Sequence, residues 1–178
     1  MSKVDEITNK LRLYGISESH IKDITESYNL VGIISKMEEC LTPDIVQHIL
    51  DSCACGGGDE FNMGCEETDR NTGSITLGDK IDHLISIADE FENIVLNADN
   101  TITVTWSFTN NGKYICQCPA AAMCTDMPLS YCLCCAGSCR RYFQSKTGIE
   151  LKSKMIVSSP INTSGEKPCS FIFDVVCV

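Results

Sequence analysis

Long apolar runs are missing from this chain. It contains no stretch of about 18 apolar residues that would cross a bilayer, and no N-terminal segment that joins a basic start to an apolar run and a small-residue cleavage site. The expectation is a soluble, cytoplasmic protein with no membrane partner. Histidine is scarce as well: His20, His48 and His83 are the only three, and each falls in a segment that reads as helix. The motifs G-x-S-x-G and H-E-x-x-H are lacking. "CGGGDEF" at residues 55–61 is glycine-rich but has neither the preceding strand nor the following lysine of a phosphate-binding loop. These absences remove the usual hydrolase, zinc-protease and nucleotide-phosphate signatures. No internal repeat, heptad array or low-complexity tail is present.

What the chain has in excess is cysteine, 13 in 178 residues. That length suits a single domain, 1–178, large enough to bury a core without covalent staples. In a reducing compartment, thiols in an odd number point to metal binding or thiol chemistry before a disulfide framework. Charge is uneven: residues 1–100 carry 7 Lys/Arg against 20 Asp/Glu, while 101–178 carry 7 against 4. An acidic half of this kind excludes nucleic acid as a partner, and the basic excess of the second half leaves room for an anionic ligand.

The pattern divides into a mainly helical part, 1–92, and a sheet-plus-helix part, 93–178. Helices are predicted over 4–15, 17–37, 42–55 and 77–91, with Ser17 and Thr42 as caps and Pro43 at the first helical position. Ile45, Val46, Ile49 and Leu50 form one buried stripe, and Ile81, Leu84, Ile85 and Ala88 another. The acidic, glycine-rich 56–74 reads as a loop. Alternation of apolar and polar residues over 92–118 predicts a hairpin about "NADNT" with a third strand at Lys113–Cys118. A helix from Leu133 to Thr147, stopped by Gly148, precedes strands at Glu150–Ser159 and Pro168–Val176. The fold class is α+β: N-terminal helices, then an antiparallel sheet (ββαββ) with helices packed on it.

Cys116 and Cys118 are two apart at a strand end, so both side chains share a face. Cys132 and Cys134 repeat that spacing before a helix, whose dipole favours thiolate and depresses thiol pKa. Together the four make a candidate tetrahedral site for zinc, with Zn–S distances of roughly 2.3 Å; copper(I) and iron–sulfur clusters suit the same donors. Two other readings stay open, buried cysteines acting as small hydrophobes and redox thiols. Cys53, Cys55 and Cys65 form a candidate second cluster beside the alternative of a helix terminus with a glycine cap. Cys40, Cys124 and Cys177 stand in no arrangement that argues for chemistry. A Cys–His dyad would have to be built from His83 and one of the thiols.

A candidate ligand pocket follows from the last helix and strand. Tyr131, Cys135, Tyr142 and Phe143 lie on one helical stripe facing Cys169, Phe171 and Phe173, Gly137 is expected to open the packing between them, and Arg140 and Arg141 are candidate contacts for a carboxylate at the mouth.

The stretch "YCLCCAGSCRRYFQSKTGIELKSKMIVSSPINTSGEKPCSFIFDV" resembles the C-terminal signature of vinyl-reductase-type (4-vinyl reductase) small-molecule-binding domains and related cysteine-rich bacterial proteins. The likeness rests on Cys132, Cys134 and Gly137 opening a helix, on Gly165, Cys169 and Phe171 in the last strand, and on "YICQCP" ahead of them, over about residues 110–176. It implies an interior pocket for a small apolar or tetrapyrrole-like molecule, with cysteine-held zinc in some members and hydrolysis of a cyclic thiazoline carboxylic acid in others. Gln144 stands where many such proteins have an acidic residue. The expectation is a cysteine-rich, metal-binding small-molecule-binding or sensor module, with a thiol- or metal-dependent hydrolase or reductase as the alternative. Its ligand is small, apolar or carboxylate-bearing, and a homodimer is left open.

Overall fold

A computed structural model describes residues 2–27, 29–53, 76–87, 91–122, 124 and 126–177. Four helices come first: α1 (Lys3–Leu13), α2 (Glu18–Thr25), α3 (Leu30–Cys40) and α4 (Pro43–Ser52). Ser2 and Asp5 close a reciprocal capping box on α1. The helix expected over 17–37 is two helices, because the Asn29 side chain accepts the Gly32 N–H at 2.8 Å and starts a new N-terminus there. Ile7, Leu11, Ile24, Ile33, Ile34 and Leu50 fill the core between these helices.

α5 (Leu77–Ile87) leads to β1 (Asn93–Leu96) and β2 (Thr101–Trp106). Ile81 and Leu84 are buried as expected, but Ile85 is 50% exposed, on the helix flank turned to solvent; Ala88 lies outside the described residues. A separate two-stranded ribbon, β3 (Thr109–Asn110) and β4 (Lys113–Tyr114), turns through Asn111 and Gly112, both at positive φ, the backbone that an Asn-Gly hairpin turn requires. The third strand expected to run to Cys118 therefore ends at Tyr114. The Tyr114 N–H goes to the Gly165 carbonyl and the Ile115 N–H to the Phe108 carbonyl, and beyond them the chain leaves β pairing.

A short helix, α6 (Pro119–Ala122), and a 3-10 turn at Leu129–Cys132 precede α7 (Leu133–Thr147), which Gly148 closes at φ 66°. β5 (Glu150–Ser158) and β6 (Cys169–Cys177) complete an antiparallel sheet of order β1-β2-β6-β5. The fold is α+β. One face of the sheet buries Ile102, Val104, Leu151, Phe171 and Phe173 against Phe143 and Cys139 of α7. The far side of α7 packs on α4, where a Cβ on Gly137 would stand 2.1 Å from the Asp51 carbonyl oxygen. α7 is thus a shared wall between the helical core and the sheet core. Among the described residues no helix is long and apolar enough to cross a membrane.

Candidate functional site

Departure of the chain from β4 is what brings the first cysteine pair inward. Cys116, half-buried, and Cys118, 7% exposed, line an apolar cavity of about 150 Å³. Cys135 from the first turn of α7 and Cys169 from the start of β6 complete its thiol wall, and Trp106, Phe108 and Ile115 form much of the remainder. Three stretches far apart in sequence thus direct four thiols onto one space.

Hydrogen bonds tie these thiols together. Cys118 and Cys135 are bonded to each other, and the Cys118 Sγ also meets the Tyr131 hydroxyl at 3.7 Å. Behind the cavity Ser159, fully buried, is 3.3 Å from the Cys132 Sγ and bonds Cys169 as well. Burial pushes the Cys132 thiol up to about 11 and the Cys169 thiol up to about 12. Cys116 is raised by burial too, and Cys135 by its bond to Cys118 and then by burial. The lowering of thiol pKa expected from the helix start is reversed at Cys132, because loss of hydration outweighs the dipole. These are neutral thiols at neutral pH.

Cys134 is placed elsewhere than the expected quartet requires. Its thiol donates to the Cys53 carbonyl at 2.8 Å, and the Lys3 ammonium, itself 2.7 Å from Glu6 and 2.5 Å from the same carbonyl, reaches its sulfur at 3.6 Å. Cys116 and Cys118 line the cavity, and Cys132 feels the charge of both without lining it, so two of the four expected ligands meet there, with Cys135 and Cys169. Among the described residues, no three His, Cys, Asp or Glu side chains form a group that would hold a metal ion as they stand. The donors fit a soft ion in kind, but the cysteine quartet is not assembled. Of the candidate second cluster, Cys53 caps α4, buried with its thiol pushed up to about 12 by burial; Cys55 and Cys65 lie outside the described residues.

The expected pocket divides in the same way. Cys135 and Cys169 line the cavity, whereas Tyr131, Phe143, Phe171 and Phe173 are at most 1% exposed and serve as core. Phe91 fills the space beside them, with ring centroids 5.1 Å from Phe143 and 5.9 Å from Tyr142. Gly137 closes a helix contact instead of opening a void. The arginines are committed to α4: Arg140 binds Asp51 at 2.6 Å and Gln144 at 2.8 Å, and Arg141 donates to the Ser52 carbonyl. Arg140 lines a different, polar cleft of about 330 Å³ with Asp51 and Lys152. Gln144, at the position where an acid was expected, is thus a neutral acceptor for Arg140. His20, His48 and His83 are all exposed, and none lines the cavity.

Sequence reasoning missed Trp106. It is the only tryptophan, and its Nε1 is buried with no acceptor among the described residues. The register pairing Trp106 with Cys169 places it at the cavity, and no local pattern encodes that pairing. Lys3 was missed for the same reason. No known protein family, curated protein or solved structure matches the chain.

Proposed function

We propose that the chain is a cysteine-rich small-molecule-binding or sensor module whose working site is the thiol-walled cavity, with a thiophilic metal ion, zinc first, as a partner of its sulfurs. The observation that carries this reading is the convergence of Cys116, Cys118, Cys135 and Cys169 on one apolar space. Its volume of about 150 Å³ matches the size at which an apolar protein cavity takes up a benzene-sized guest. Binding is favoured over nucleophilic catalysis because the thiol pKa values of Cys116, Cys135 and Cys169 are raised and, among the described residues, no histidine, lysine or arginine lines the cavity. Zinc would draw on Cys116, Cys118, Cys135 and Cys169 after side-chain rotation, displacing their protons, so its uptake strengthens as pH rises.

Trp106 reports the test directly. With the reduced protein, zinc and, separately, naphthalene are titrated while Trp106 emission is followed. A saturable change with either that is lost in the cavity-filling variant Ile115→Phe supports the reading. Unchanged emission with both, together with no zinc retained on purification, refutes it.

A further inference from the structure

Cys118 and Cys135 are the cavity thiols in direct hydrogen-bond contact. One follows the β3–β4 ribbon and the other opens α7, and both face the same space as Trp106, Phe108 and Ile115. Two adjacent sulfurs, in a cavity where no three donors among the described residues are grouped to hold a metal ion, have a chemistry distinct from a tetrahedral metal site. They are arranged to bridge one thiophilic atom that needs two thiols and no more.

Charge decides which atom. Held by the pair alone, copper(I) on two thiolates leaves one negative charge, and a charge buried without a counter-ion is strongly disfavoured. The nearby cations are already engaged: Arg140 with Asp51, Arg141 with the Ser52 carbonyl, Lys3 with Glu6. A trivalent arsenic bearing one carbon group and two thiolates is neutral. Divalent mercury on two thiolates is neutral too, but it brings nothing to fill the apolar space beside the pair.

Resting on the reading of this cavity as the working site, we propose that Cys118 and Cys135 capture a mono-organo trivalent arsenical, R–As(OH)2, with the organic group seated among Trp106, Phe108 and Ile115. Two As–O bonds break and two As–S bonds form. Each departing hydroxide leaves with one thiol proton, so two waters are released. Arsenic stays trivalent and the sulfurs are not oxidised, so no co-reactant is needed. Reactants and product are both neutral, so the exchange leaves no charge in the apolar space.

The test uses the whole chain in a monothiol reductant with phenylarsine oxide as probe. The expected result is a change in Trp106 emission that saturates at one equivalent and is reversed by 2,3-dimercaptopropanol. Proteolysis of the adduct should yield arsenic linking the peptides that carry Cys118 and Cys135. Cys118→Ser or Cys135→Ser should weaken capture on the order of a hundredfold, since the second bond is intramolecular, and Cys134→Ser should leave it unchanged. An adduct mapped to any other cysteine pair, or unchanged Trp106 emission, overturns the proposal, and the mapping on the unmutated chain stands even if a variant fails to fold. If zinc or naphthalene moves Trp106 emission and phenylarsine oxide does not, this inference fails and the cavity reading survives; if none of the three does, both fail.

Discussion

At the residue scale the thiols are governed by dehydration. Cys53, Cys132 and Cys169 hold their protons up to about 12, 11 and 12, chiefly through burial. In the unfolded chain the same groups ionise near pH 8.5. Between those values the unfolded state binds fewer protons than the native one, so stability falls as pH rises. The expected outcome in urea denaturation is a thiol contribution that is fully present below about pH 8, then declines by up to about 1.4 kcal/mol per pH unit for each of these thiols. Cys132→Ala should flatten that decline. A stability that stays level from pH 8 to 10.5 would contradict the burial argument. The residue types at the site were legible in the sequence, since Cys116, Cys118, Cys132, Cys135 and Cys169 all stand out there. Their protonation was not, because spacing before a helix shows the dipole but not the water lost on packing.

At the scale of elements, α7 is positioned by what it lacks. A side chain at Gly137 would meet the Asp51 carbonyl at 2.1 Å, so the glycine permits α4 and α7 to touch along their backbones. Arg140 and Arg141 then fasten α7 to the C-terminal turn of α4, where orphan carbonyls and the helix dipole favour cations. Gly137→Ala gains about 1 kcal/mol in helix propensity. It also forces the helices apart, at a cost of about 1–3 kcal/mol or more. The clash wins, and the midpoint of chemical denaturation should shift by a net loss of about 1 kcal/mol; a stabilised variant would show that the helices do not approach so closely. Helix and strand periods predicted nearly every element here. The exceptions have local physical causes: a side-chain cap at Asn29 that divides one helix into two, and main-chain bonds from Tyr114 and Ile115 that end a strand early.

Across the whole molecule, Cys135, Ile156 and Ile161 pack against both the helical core and the sheet core. Two cores joined by one helix and by common side chains cannot lose one packing partner independently. The expected outcome is a single cooperative unfolding transition, with circular dichroism (dominated by the helices) and Trp106 emission (on the sheet) giving coincident curves; separated midpoints would mean that the halves unfold apart. The order of elements was readable from sequence, whereas the meeting of Lys3 with Cys134, 131 residues apart, was not, since no spacing rule spans that distance. That contact also has a timetable. At about 5–20 residues per second, synthesis separates its two partners by on the order of ten seconds. Once Cys53 has been made, Lys3 can already meet Glu6 and the Cys53 carbonyl, while the face of α4 that later receives Gly137 is open to water. The early helices must therefore persist on the ribosome without their closing wall, and a chaperone that recognises exposed apolar surface has its longest opportunity there, before α7 has been made.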